Sequence, residues 1–168
     1  MATTLTDNNN YLQPTGFKVV LDRGNYGNVE FFAQSVQHPD VNLAPAVQQF
    51  ARTAVPYPGD NLTFSEITLQ YLVDEDLTAY KEIYNWMLRL VNEPYYTQYD
   101  KLKDDTIVPS VAQLSVIVMT SHNNKNITIK YIDAFPTALG DISLEATNSS
   151  VEPIITPITF AYSYFTIE

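Results

Sequence analysis

Two groups of carboxylates are the densest candidates for chemistry in the chain, Asp104-Asp105 and the run Asp74-Glu75-Asp76. Carboxylates do general acid–base work when a cleft holds them against a partner. Neither group is placed for that. Asp74-Glu75-Asp76 opens an apolar-periodic run, which is the position of a helix cap and of the positive end of a helix dipole. Asp104-Asp105 ends a polar, aromatic loop, "YYTQYDKLKDD". The two histidines, His38 and His122, both fall in predicted turns, with no third ligand at metal spacing. There is no cysteine, which removes thiolate chemistry, thiolate metal sites and disulfides. No serine sits in a G-x-S-x-G elbow, and no G-x-x-x-x-G-K-[S/T] phosphate loop is present. The sequence predicts no enzyme, no metal and no cofactor, and points to binding or assembly.

Bulk properties agree. The chain has 168 residues, enough for one domain, and 45% are hydrophobic against 17% charged, enough to build a core. Twelve Tyr and eight Phe, together with many Val, Ile and Thr, favour β structure. A formal net charge of -10 is ill suited to wrapping phosphate or to an anionic membrane surface. No stretch approaches the ~20 apolar residues of a membrane span, and Met1–Asn10 lacks the basic-then-apolar order of an export signal. The sequons at Asn61, Asn126 and Asn148 are read as chance in an Asn- and Thr-rich chain. His38-Pro39-Asp40 matches the tripeptide of J-domain cochaperones, but that tripeptide must join two helices; strand-like and proline-rich chain flanks it here, so it is read as a turn.

The elements that carry these residues are mostly strands. Residues 1–15 are polar and Asn-rich and predict a flexible arm. Phe17–Leu21 and Val29–Val36 flank a two-glycine turn and predict a hairpin. Residues 38–60 hold four prolines and no clean period; Gln49–Val55 alternates, and the whole predicts a protruding, half-structured arm. Leu62–Val73 alternates, with a bulge near Ser65-Glu66. One helix follows. Asp74 is its cap, Leu77, Tyr80, Ile83, Tyr84, Met87, Leu88 and Val91 form its apolar face, and Pro94 stops it. That face and Trp86 are expected on the outer side of a sheet. Ala112–Met119 and Ile127–Ile132 predict strands joined by the turn "SHNNKN". Phe135-Pro136-Thr137 then forms an exposed elbow, the chain turns at Gly140-Asp141, and Ile142, Leu144 and Ala146 alternate. Ile154–Ile167 is a long strand broken at Pro157.

The elbow and its neighbours carry a resemblance. "NITIKYIDAFPTALGDISLE…ITFAYSYF" resembles the C-terminal signature of tail tube proteins of T4-like contractile-tailed bacteriophages. The matching residues are Phe135-Pro136-Thr137, the Asp141–Leu144 segment, and the closing Thr159–Phe165 strand with Phe160, Tyr162 and Tyr164. Phe135 stands where that family usually shows Trp. A second block, "PYPGDNLTFSEITLQYLVDEDLTAYKEIYNWM", is similar to the family's middle segment through Gly59-Asp60, Thr63-Phe64, Asp74–Asp76 and Trp86.

The resemblance implies a mainly β, antiparallel sandwich or barrel-like tail-tube fold with one α-helix, over residues 16–168, behind the N-terminal arm at 1–15 and with the protruding arm at 38–60. It implies hexameric rings that stack into a hollow conduit inside a contractile sheath. The partners implied are further copies, the sheath protein, and baseplate and tail-terminator proteins, in a virion tail assembled in the host bacterial cytoplasm. DNA would pass through the lumen without specific binding. Six copies at -10 each give -60 per ring, from which an acidic, DNA-repelling lumen is expected. Val41, Leu43, Val47 and Phe50 are too apolar for a solvated loop and are expected at the contact between rings. A tube-initiator or baseplate ring, or a secretion-system tube of similar fold, are the alternatives.

Overall fold

The computed structural model describes residues 12, 14–21, 33–92, 111–145 and 153–168. The expected turn at 23–27, the loop at 95–105 with Asp104-Asp105, the helix stop at Pro94, and all of the N-terminal arm but residues 12, 14 and 15 lie outside them.

Two four-stranded antiparallel sheets share one long strand. In chain order the strands are β1 (Phe17–Val20), β2 (Ala33–Gln37), β3 (Val41–Leu43), β4 (Ala46–Phe50), β5 (Thr53–Tyr57), β6 (Leu62–Phe64) and β7 (Ile67–Leu72). The helix α1 (Thr78–Asn92) follows, then β8 (Ala112–Met119), β9 (Lys125–Leu139), β10 (Ile155–Ala161) and β11 (Tyr164–Ile167). The first sheet runs β1-β8-β9-β11, using the N-terminal half of β9; the second runs β9-β10-β7-β2, using its C-terminal half. The expected pairing of the first two strands with each other is overturned. β1 pairs β8 and β2 pairs β7, and the two pairs lie in different sheets.

The two sheets meet at a corner. β9 bends at Asp133, whose φ of 55 lies in the left-handed region, a conformation that Asp tolerates better than most residues. Its pairing partner breaks at the same level, between β10 and β11. There Ser163 donates its backbone N–H to the Ile132 carbonyl at 3.0 Å and its hydroxyl to Asp133 Oδ2 at 3.2 Å. Phe135-Pro136-Thr137 is therefore not an exposed elbow. It lies inside β9 just past the bend, with Pro136 buried opposite Phe160 and Thr137 donating its hydroxyl to the Thr159 carbonyl at 3.2 Å. Pro157 likewise does not break the last strand, which breaks at 162–163 instead. After Gly140 no strand forms over 141–145. Gly140 sits so close to β10 that an added Cβ would lie 2.5 Å from Pro157 Cδ.

The core fills the space the corner encloses. Val19, Leu114 and Tyr131 from the first sheet face Leu69, Tyr71, Ile158 and Phe160 from the second, all fully buried. Alternation selects these faces, since residues two apart share a side of a strand. The helix completes the core. Ala79, Ile83 and Trp86 are buried, and Trp86 meets Phe160 with ring centroids 6.0 Å apart. Phe160 shares its face of β10 with Thr156 and Ile158, both fully buried. The helix thus covers the core side of the second sheet, not its outer side.

The buried stripe is also rotated from the expected one. Ala79, Ile83, Trp86 and Leu90 recur at four, three and four residues and lie inward, with Tyr80 and Met87 at the margin. Tyr84, Leu88 and Val91 lie on the opposite arc and are exposed. The face expected from sequence follows the large side chains and omits Ala79, whose small, buried side chain lets the helix approach closely. Asp74 caps the helix as expected but from further back: its carboxylate accepts from the Thr78 and Ala79 amides at 2.9 and 3.4 Å.

Truncating Trp86 to Ala removes the side chain that joins helix to sheet and is expected to cost about 3–5 kcal/mol. Leu88→Ala, on the exposed arc, is expected to cost under about 1 kcal/mol. Chemical denaturation of the two variants checks the assignment; equal losses would refute it.

Candidate assembly surface

Between β2 and β7 the chain leaves the body and returns, and this excursion is the arm. It is a two-stranded ribbon, interrupted at residues 44–45 and 58–61. β3 and β6 pair as a stem, with Val41 opposite Phe64 and Leu43 opposite Leu62. β4 and β5 pair as a tip, from Ala46 opposite Tyr57 to Phe50 opposite Thr53, closed by a turn at Ala51-Arg52. The alternation of Gln49–Val55 therefore spans a hairpin turn, not one strand. Four prolines do not prevent this because a two-stranded ribbon has only edges, where a missing N–H is tolerated. Gly59 lies directly against the Ala44 carbonyl, where any side chain would collide. The expected bulge at Ser65-Glu66 is a boundary: β6 belongs to the arm and β7 to the body.

The arm's apolar residues are in water. Val41, Leu43, Val47, Phe50, Tyr57 and Leu62 are each 43–57% exposed. The register divides the tip into two faces. Phe50, Val55 and Tyr57 lie on one side, and Val47 and Pro56 on the other. A ribbon apolar on both faces cannot bury itself by lying flat on its own body. The four residues expected at a contact all stand on this ribbon, beside the exposed Tyr57 and Leu62.

The root of the arm is an aromatic cluster that no sequence motif announced. His38, at the end of β2, donates or accepts through Nδ1 a 2.6 Å hydrogen bond with the fully buried hydroxyl-bearing Tyr131. Its ring stands edge-on to Phe165 at 5.1 Å. Phe64, at the end of the stem, packs on Tyr162 and Phe165 at 6.1 and 5.6 Å. Tyr131 and Tyr162 meet at 5.0 Å in an edge-to-face contact; such pairs contribute about 0.5–1.5 kcal/mol beyond their burial. Pro39 is buried beneath, and Asp40 accepts the Ser65 amide through its carbonyl at 3.2 Å. Both strands entering the arm are thus pinned to the corner between the sheets.

Several expected residues fall elsewhere. Trp86, Phe160 and Pro136 are core; Tyr162 belongs to the arm root; Phe135 and Tyr164 are on the surface, as is His122 in the β8–β9 turn. Burial pushes the His38 imidazole below its ordinary range, and burial first, then Tyr162, pushes the Tyr131 hydroxyl up. The hydrogen bonds of Ser65, then of its own backbone and of Asn42, hold Asp40 below the usual carboxylate range.

A β body carrying a long, rigidly rooted ribbon with exposed apolar faces is the build of a structural subunit that assembles with other chains. The chain belongs to the phage tail tube protein family, whose model matches residues 4–168, and it is a structural tube subunit. Solved structures share the fold. The chain is 16% identical to a protein in the sheath/tube terminator structure of an extracellular contractile injection system, covering 96% of this chain and 99% of that one, with a TM-score of 0.64. It is 15% identical to one in the sheath–tube complex of that system, covering 95% and 93%, TM-score 0.60. It is 16% identical to one in the tube-terminating cap of the anti-feeding prophage, covering 98% and 95%, TM-score 0.60. No curated protein sequence matches the chain.

His38 gives the root a pH dependence of defined sign. Its folded pKa lies below the unfolded value of 6.5, so the unfolded chain binds the proton more readily. Stability is full above about pH 6.5 and falls as pH drops towards the folded pKa. Melting temperatures at pH 7.5 and 5.5 should show this fall in the parent and a smaller one in His38→Phe. An equal fall in both would assign the effect to other groups.

Proposed function

We propose that the subunit forms hexameric rings that stack into the tail tube of a contractile bacteriophage, inside its sheath, and that the arm at 38–60 makes the contact between rings. The observation that carries this reading is the two-faced apolar ribbon held out by the aromatic root. A ribbon of about ten residues per strand reaches at most about 33 Å from the body. Its two apolar faces call for cover on both sides, as a slot between two subunits of the neighbouring ring would give. The open edges of the two sheets are the surfaces by which copies would join laterally, since edge pairing satisfies backbone groups left free in the monomer.

In this reading the tube meets the sheath outside, baseplate proteins at one end and a terminator at the other, and DNA passes through the lumen without specific binding. The particle is a virion tail, assembled in the host bacterial cytoplasm. The work is mechanical and no catalytic residue takes part in it. Injection-system terminator and cap structures share the fold, so an initiator or baseplate ring is the second reading. It differs in one observable: such a ring stops after one or two layers.

Leu43→Asp and Val47→Asp each place a charge that stacking would bury unpaired, at several kcal/mol per subunit. Both should keep the parent's circular dichroism and melting, because the arm is exposed in the monomer. Both should abolish long tubes in negative-stain microscopy. Normal tubes from both variants would remove the arm from the ring contact, and unfolding would place it in the core. Parent protein that stops at one or two rings would favour the initiator reading.

A further inference from the structure

The arm and the start of the helix stand at opposite ends of one strand. β7 is entered from the arm through β6 and Ser65-Glu66, and it leads through Val73 to the Asp74 cap. Its neighbours keep the same polarity. β2 brings Gln37 beside Thr68 at the arm end, and β10 brings Ile155 beside Leu72 at the far end. The chain leaving β9 joins that far end too, because the Asp141 carbonyl accepts the Thr156 hydroxyl at 3.2 Å. The six residues of β7 span about 20 Å, so the two ends are separate surfaces.

The tip of the arm and the far end are opposite in charge and alike in exposing apolar side chains. Asp40, Asp60 and Glu66 lie at the stem and root of the arm. From Ala44 to Pro58 the tip holds one charged residue, Arg52, exposed in the hairpin turn and in no ion pair with a described residue. The same tip exposes Val47, Phe50 and Tyr57. The far end exposes Ile155 at 45%, and the segment after Asp141 exposes Leu144 at 81%. Glu75, Asp76, Asp141 and Glu145 are exposed there as well. The cation that follows them on the helix, Lys81, donates its ammonium to the Asp76 carbonyl at 2.8 Å.

Resting on the stacking reading above, we infer that the tip of the arm docks on the far end of a subunit in the neighbouring ring, with Arg52 set among its carboxylates and the tip's apolar residues covering Leu144 and Ile155. The occupant is a second copy of this chain. Stacking in one direction brings unlike ends together, so a surface at one end needs its complement at the other. Each subunit carries -10 and approaching copies repel. The cationic tip is the part of the arm that an acidic end attracts. Opposite charges steer the encounter and fix its register, and apolar burial holds it. The same arrangement gives the tube a direction. Two acidic ends would set like charge against like, and so would two tips, so every subunit faces the same way.

The absence of cysteine allows a direct test. Ala51→Cys stands in the exposed turn of the tip, and Ser143→Cys on the exposed segment at the far end. In assembled tubes treated with a short bis-maleimide, the double variant should give a ladder of covalent multimers on a denaturing gel, because each subunit is linked at both ends. Each single variant should give no ladder. Dimers from Ala51→Cys alone would show tips meeting tips, and normal tubes of the double variant without a ladder would place the tip elsewhere. Either result overturns the docking site. For the charge, Arg52→Glu should keep the parent's circular dichroism and lose long tubes at physiological salt, while Arg52→Lys keeps them. Arg52→Glu combined with Asp141→Lys and Glu145→Lys should regain tubes. Normal tubes from Arg52→Glu, or no recovery in the combined variant, overturns the pairing of Arg52 with these carboxylates. Normal tubes from Leu43→Asp and Val47→Asp, or a parent that forms no tubes, is a different result and overturns the stacking reading itself, and the docking site with it.

Discussion

Asp133 and Ser163 hold the corner on which the rest of the molecule depends. Two paired strands, β9 and the β10–β11 run, leave one sheet for the other at the same level, and the Ser163 bonds to Ile132 and Asp133 keep the two breaks in step. If only one strand bent, the ladder between them would lose its register and every inward side chain would turn outward. Because both bend together, Tyr131 before the bend and Ala134 and Pro136 after it all stay buried. A single continuous ribbon can therefore enclose a core as two faces of a sandwich.

The corner also supplies the footing for the arm. Tyr131, Tyr162 and Phe165 flank it, and His38 and Phe64, the last residues before and after the exposed ribbon, pack onto them. An exposed two-stranded ribbon is marginal by itself. Here it is fastened at both strands to the core, so that its direction is set by packing. A part that must meet another subunit at a fixed distance needs that stiffness, since ordering a loose loop on assembly would oppose association.

Charge is distributed to match. The helix cap, the arm and the first sheet's outward face carry it, and the second sheet carries none on its strands. The helix seals the core side of that same sheet through Trp86 against Phe160.

What the sequence determined is what local chemistry dictates. The β content, the helix with Asp74 as its cap, the β8–β9 hairpin and the apolar character of Val41, Leu43, Val47 and Phe50 all follow from residue types over short spans. The family too was legible, because its two blocks keep their order along the chain. What only the tertiary structure decided is which elements meet. Period-two alternation says that a strand has an inner face but not which strand lies beside it, so β1 and β2 were paired with each other rather than with β8 and β7. Pro136 and Pro157 look like breaks, yet each is accommodated where its own N–H is not needed, and the real bend falls at Asp133, a residue with no distinguishing local pattern. The helix face was misplaced because its orientation is set by Phe160, more than seventy residues away in sequence. The aromatic root, drawn from four separated segments, had no periodicity at all; only the folding of the corner brings His38, Phe64, Tyr131 and Phe165 together.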